Sequence, residues 1–145
     1  MNKYRELKTR QQKEMDAFPF GVCFSDKQYE TMMTKWNLTV NDTDKICSIG
    51  GGCYIRKSDK DAFLEMCKRF EKEKQDAIAE DTTGDGFIYD MFLYELANHE
   101  YCITYDTAET FDALNLTQEE IDKDRRLSHG LKKAMKDYLK NTKEL

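Results

Sequence analysis

Lys45-Ile46-Cys47-Ser48-Ile49-Gly50-Gly51-Gly52-Cys53-Tyr54-Ile55-Arg56-Lys57 sets two β-rich runs on either side of three glycines. Positive φ costs glycine least, so the stretch reads as an antiparallel hairpin over about 45–57, with positive φ expected at Gly50 and Gly51. A two-residue turn at Gly50-Gly51 sets Ile46 opposite Ile55 and Ser48 opposite Cys53; a slip of one residue sets Cys47 opposite Cys53. The first register is preferred, although it brings Lys45 against Arg56.

Upstream of the hairpin, Pro19 ends a helical pattern and Phe20-Gly21-Val22-Cys23-Phe24 alternates as a short strand. Ser25 with Gln28 makes a capping box for a helix to about Trp36, whose Tyr29, Met32, Met33 and Trp36 read as core rather than as a ligand groove. Residues 3–16 form a weakly amphipathic helix, with Tyr4, Leu7 and Met15 on one side, and are expected on the surface.

Downstream, Ser58 and Asp61 open a helix to about Ala79. Phe87 to His99 is apolar on well over half its circumference, which predicts a central helix. Tyr101 to Tyr105 is a strand candidate. Asp106 with Glu109 caps a helix ending near Asn115, Thr117 with Glu120 opens another, and after a break near Asp124 a last helix runs to about Asn141. The fold class is therefore α+β, mostly helical with five to six helices and a small antiparallel sheet that includes the hairpin. At 145 residues the expectation is one domain.

The net charge of −5 conceals a segregation. From Asp76 to Asp124 fourteen acids face one base, Lys123, giving −13, while residues 1–75 and 125–145 carry +3 and +5. That pattern disfavours direct nucleic-acid binding through the middle of the chain, and no helix-turn-helix pattern accompanies the basic first helix. No run is long and apolar enough for a membrane span, and the start, Met1-Asn2-Lys3-Tyr4-Arg5-Glu6, lacks the apolar core of a signal peptide; a cytoplasmic protein with no membrane contact is expected. Five cysteines without a CxxC pair read as free, mostly buried thiols.

Three constellations could carry chemistry. The glycine triplet Gly50, Gly51 and Gly52 could cradle an anion on its backbone N–H groups, but it lacks GK[ST] and GxGxxG and is followed by a strand, so a plain turn is favoured. Asp81-Thr82-Thr83-Gly84-Asp85-Gly86-Phe87-Ile88 resembles the first eight positions of a calcium loop, yet the twelfth is Phe92 and Glu95 comes three residues late; a glycine-relieved helix start is favoured and no metal is expected. Glu95 and His99 stand at i, i+4, a spacing open to proton transfer, but with no recognisable third partner a structural or solvated pair is favoured.

The runs Asp42-Thr43-Asp44-Lys45-Ile46, Ser48-Ile49-Gly50-Gly51-Gly52 and Ile55-Arg56-Lys57, with Thr83-Gly84-Asp85-Gly86-Phe87-Ile88-Tyr89-Asp90-Met91-Phe92-Leu93-Tyr94-Glu95-Leu96-Ala97-Asn98-His99-Glu100-Tyr101, resemble a family of small uncharacterised proteins from bacteria, their phages and mobile elements. The resemblance covers most of the chain and brings no activity and no residue roles. It implies a habitat in which accessory proteins act by binding host proteins, including inhibitors of restriction or CRISPR nucleases.

Together these readings lead to a non-enzymatic protein-binding module without a cofactor. It would present Asp106, Glu109, Asp112, Glu119, Glu120 and Asp122 to a protein partner with a basic, nucleic-acid-binding surface. The rival is a small enzyme or ligand binder built on Gly50, Gly51, Gly52, Asp85, Glu95 and His99.

Overall fold

The computed structural model describes residues 1–143. Among them the chain forms eight α-helices and one three-stranded antiparallel sheet, the expected α+β class. In order these are α1 (Lys3–Ala17), β1 (Gly21–Val22), α2 (Asp26–Lys35), β2 (Ile46–Gly50), β3 (Cys53–Arg56), α3 (Lys60–Glu80), α4 (Phe87–Asn98), α5 (Tyr101–Thr104), α6 (Ala108–Leu114), α7 (Gln118–Lys123) and α8 (Arg125–Lys143).

The helix count exceeds the expected five to six; the separate helices on either side of Asn115 were expected, and α5 is the element that was not. Asn115 at φ +56 ends α6 and separates it from α7, which opens on Thr117 accepting from the Glu120 backbone N–H at 3.2 Å. The strand expected at Tyr101–Tyr105 is the helical turn α5 instead. Its backbone is satisfied at short range, Ile103 N–H donating to Glu100 C=O at 2.9 Å and Tyr105 N–H to Tyr101 C=O at 2.8 Å, so its β-prone side chains need no neighbouring strand.

The chain folds as two compact units, Met1–Gln11 with Glu73–Leu145, and Gln12–Lys72. The second holds the sheet, in the order β1-β3-β2. The hairpin forms, but in neither expected register: Ile46 faces Arg56, Cys47 faces Ile55, Ser48 faces Tyr54 and Gly50 faces Cys53, with Ile49 bulged out. The third glycine is the reason. Gly51 and Gly52 occupy the turn at φ +59 and +76, the signs a type I′ turn requires, and Gly50 at φ +94 absorbs the bulge. The shift also relieves the expected Lys45–Arg56 opposition, since Ile46 now stands opposite Arg56. Met32, Met33, Ile55 and Met66 are buried in this unit, as expected for the methionines of α2, and the rings of Phe18, Phe20 and Phe63 pack within 5.8 Å of one another.

The first unit is built around α4, whose Ile88, Met91, Phe92 and Leu96 are fully buried, as its apolar circumference predicts. Leu127, Leu131 and Ala134 of α8 and Phe111 and Leu114 of α6 complete the core. The start of α1 belongs to it too. Tyr4 and Leu7 are buried there, so the first helix is anchored through its opening turns rather than resting on the surface. All five cysteines are free, and each is half-buried rather than enclosed.

Candidate functional site

Of the proposed ligand-site residues, Glu95 and His99 do meet. Both follow from the helical repeat of α4, which sets His99, at its C-cap, one turn above Glu95. Glu95 is 2% exposed, and its two oxygens are both engaged. Oε1 accepts a 2.8 Å hydrogen bond from the Tyr4 hydroxyl, and Oε2 lies 3.2 Å from His99 Nε2 and 3.5 Å from Asn98 Nδ2. The His99 contact is at ion-pair distance but off the line of a hydrogen bond, since buried Nε2 has no hydrogen-bond partner. On its other side His99 Nδ1 sits 3.3 Å from exposed Glu109 Oε2, and the fully buried Thr110 hydroxyl donates to the Glu95 carbonyl at 3.3 Å. The buried Glu95 carboxylate ties α1 to α4, and α6 joins through the Glu95 backbone carbonyl and through His99. Tyr4 is the member that the sequence could not announce, because its partner stands 91 positions away.

Asp85 is not part of this group. It precedes α4, and its Oδ1 is 2.7 Å from His129 Nε2 and 3.2 Å from Lys133 Nζ, both from α8. Those two bonds, His129 first, hold the Asp85 carboxyl below the usual carboxylate range. His129 and Lys133 stand at i, i+4 on α8, which was a readable signal for a shared face. Gly50, Gly51 and Gly52 belong to the sheet-bearing unit, whereas Asp85, Glu95 and His99 belong to the other.

The calcium-like loop uses its first carboxylate as a cap. Asp81 Oδ1 accepts from the backbone N–H of Thr83 and Gly84, at 3.1 and 2.8 Å, and Oδ2 from those of Gly86 and Ile88, both at 3.0 Å. Partial burial pushes its pKa up, but these four donors outweigh that and hold it below the ordinary value. Both Asp81 oxygens are thus occupied by backbone donors of its own loop. The loop is pinned from behind by Arg126, whose Nη1 donates to the carbonyls of Ile78 and Asp81 at 2.9 and 2.7 Å. No group of three or more His, Cys, Asp or Glu side chains among the described residues is placed to hold a metal ion. No described helix is long and apolar enough to cross a membrane.

Beside this loop lies an open groove of about 970 Å³, lined by apolar Leu7, Ala77 and Phe87 and by charged Lys3, Glu6 and Glu80 among others. Asp81, Thr83 and Gly86 of the calcium-like loop line it, whereas Gly50, Gly51, Gly52, Asp85, Glu95, His99 and the six acids expected to meet a partner do not.

The six acids expected to meet a partner are all exposed. On α6 the buried Thr110, Phe111 and Leu114 turn Glu109 and Asp112 outward, and on α7 buried Ile121 does the same for Glu119, Glu120 and Asp122. Local bonds order several of them: Asp106 accepts from Ala108 N–H at 2.8 Å, Asp122 from Gln118 Nε2 at 2.8 Å, and Glu119 pairs with Lys123 at 2.7 Å.

The chain belongs to a family of unknown function, DUF7659, whose model matches residues 3–137. No curated protein and no solved structure matches it.

Proposed function

We propose that this member of the family is a non-enzymatic, single-domain protein-interaction module, and that it inhibits a host nucleic-acid-binding protein, such as a restriction or CRISPR nuclease, by occupying that protein's basic surface. One observation carries the reading. From Asp76 to Asp122 the chain holds no lysine or arginine, and Asp106, Glu109, Asp112, Glu119, Glu120 and Asp122 are all exposed within that stretch. Of their partners among the described residues, the Gln118 amide and the Ala108 N–H order a carboxylate without cancelling its charge, His99 Nδ1 lies 3.3 Å from Glu109, and Lys123 is the one lysine or arginine. Exposed carboxylates at this density offer a basic groove the charge that nucleic acid would offer it. The habitat implied by the sequence resemblance supports an inhibitor. The Glu95–His99 pair is better explained as packing, because Glu95 is 2% exposed and Tyr4 already donates to one of its carboxylate oxygens.

The test is capture of bacterial proteins on the immobilised full chain, eluted with rising salt and identified by mass spectrometry. A nucleic-acid-binding protein that elutes as salt rises, and that is not captured after Glu109→Lys, Asp112→Lys, Glu119→Lys and Glu120→Lys together, is expected. Failure to recover a partner, or recovery of one that ignores both salt and charge reversal, overturns the proposal.

A further inference from the structure

α5 does something that the fold does not reward. This four-residue turn is bracketed by two non-glycine residues in the left-handed region, Glu100 at φ +53 and Tyr105 at φ +53. A bulky side chain at positive φ strains its backbone. Tyr101 enters the core, but Ile103 and Tyr105 are left 71% and 66% exposed. Ile103 thus stands in solvent, and Tyr105, although edge-on to Tyr101 at 5.9 Å between ring centroids, keeps most of its surface exposed on a strained turn. Lone exposed apolar residues are ordinary; two of them held out by an unfavourable backbone are not.

The charge along the adjoining stretch of chain indicates what would meet them. Glu100 and Asp106 flank the turn, Glu109 follows within one further helical turn, and the nearest lysine or arginine later in the chain is Lys123. Apolar anchors inside a charged rim are the usual anatomy of an interface hot spot, in which the centre supplies affinity and the rim supplies selectivity. We infer that Ile103 and Tyr105 are the apolar anchor of the interaction surface, and that the protein partner receives them in an apolar pocket rimmed by lysine or arginine. The inference rests on the proposed function and deepens it, adding an apolar requirement to an otherwise electrostatic contact.

Two synthetic peptides of equal positive charge separate these ideas: an oligolysine, and an amphipathic lysine–leucine helix. Binding of each to the full chain is measured by fluorescence anisotropy at low salt. The chain binds the amphipathic peptide about tenfold more tightly than the oligolysine. Ile103→Ser with Tyr105→Gly removes that preference and leaves oligolysine binding unchanged. Glycine is at ease in the left-handed region, so an unfolding midpoint within a few degrees of the parent shows that the fold is kept. Equal affinity for the two peptides, or a preference that survives the double substitution, overturns the inference while oligolysine binding leaves the proposed function standing. Binding of neither peptide overturns both.

Discussion

The phenol of Tyr4 donates a 2.8 Å hydrogen bond to Glu95 Oε1, joining the first turn of α1 to the last turn of α4, with both residues 2% exposed. A carboxylate withdrawn from water is tolerated only when donors meet it, so this bond decides whether Glu95 is a reactive group or a structural one. His99 lies 3.2 Å from the other oxygen, so the Glu95 carboxylate is met on both sides while the imidazole itself stays a quarter exposed.

Tyr4→Phe should therefore destabilise the protein by about 1–3 kcal/mol, because it keeps the ring contacts with Phe87 and Tyr94 while leaving the buried carboxylate short of a donor. Urea denaturation reads the effect directly. An unchanged midpoint would mean that the hydroxyl contributes nothing to the fold.

Gly84 and Gly51 should respond differently to alanine. Both have positive φ, +90 and +59, but a Cβ at Gly84 would lie 2.3 Å from the Arg126 carbonyl oxygen, whereas a Cβ at Gly51 meets open space. Gly51→Ala carries only the left-handed penalty of about 1–2 kcal/mol. Gly84→Ala adds displacement of backbone against α8 and should cost more, with the urea midpoint falling further.

Asp81 should give stability a dependence on acid. Its pKa is lowered by folding, so the stability it supplies is complete above the ordinary value of 3.8 and is lost as pH falls below it through the folded pKa. Asp81→Asn turns an amide toward N–H groups that need an acceptor and should lower stability by about 1 kcal/mol at neutral pH. Denaturation of the two proteins at successively lower pH should show that difference shrinking once pH passes below the ordinary value. A constant difference would assign the loop's stability elsewhere.

Much of this architecture was legible in the sequence wherever local rules act alone. Thr117 with Glu120, Asn115 at the end of α6, Ser25 with Gln28 and the apolar circumference of α4 all behave as their chemistry dictates. The hairpin was legible as a hairpin but not in register, because three consecutive glycines permit several turn positions and only the bulge at Ile49 selects one. Tyr101 to Tyr105 misled because β-propensity describes side chains that fit a sheet, not whether a strand is there to pair. The candidate site was legible only along α4. The Tyr4–Glu95 bond and the His129 and Lys133 contacts to Asp85 span 91, 44 and 48 positions, distances over which no periodicity reports.

If a partner binds the acidic stretch of α5 to α7 as proposed, hydrogen–deuterium exchange of the full chain, alone and with a captured partner, reports it most directly. Slowed exchange concentrated in residues 100–123 is expected, with the Gly50–Gly52 hairpin unaltered and the protection diminishing as salt rises. Protection centred on the hairpin, or protection of residues 100–123 that persists unchanged at high salt, would contradict it.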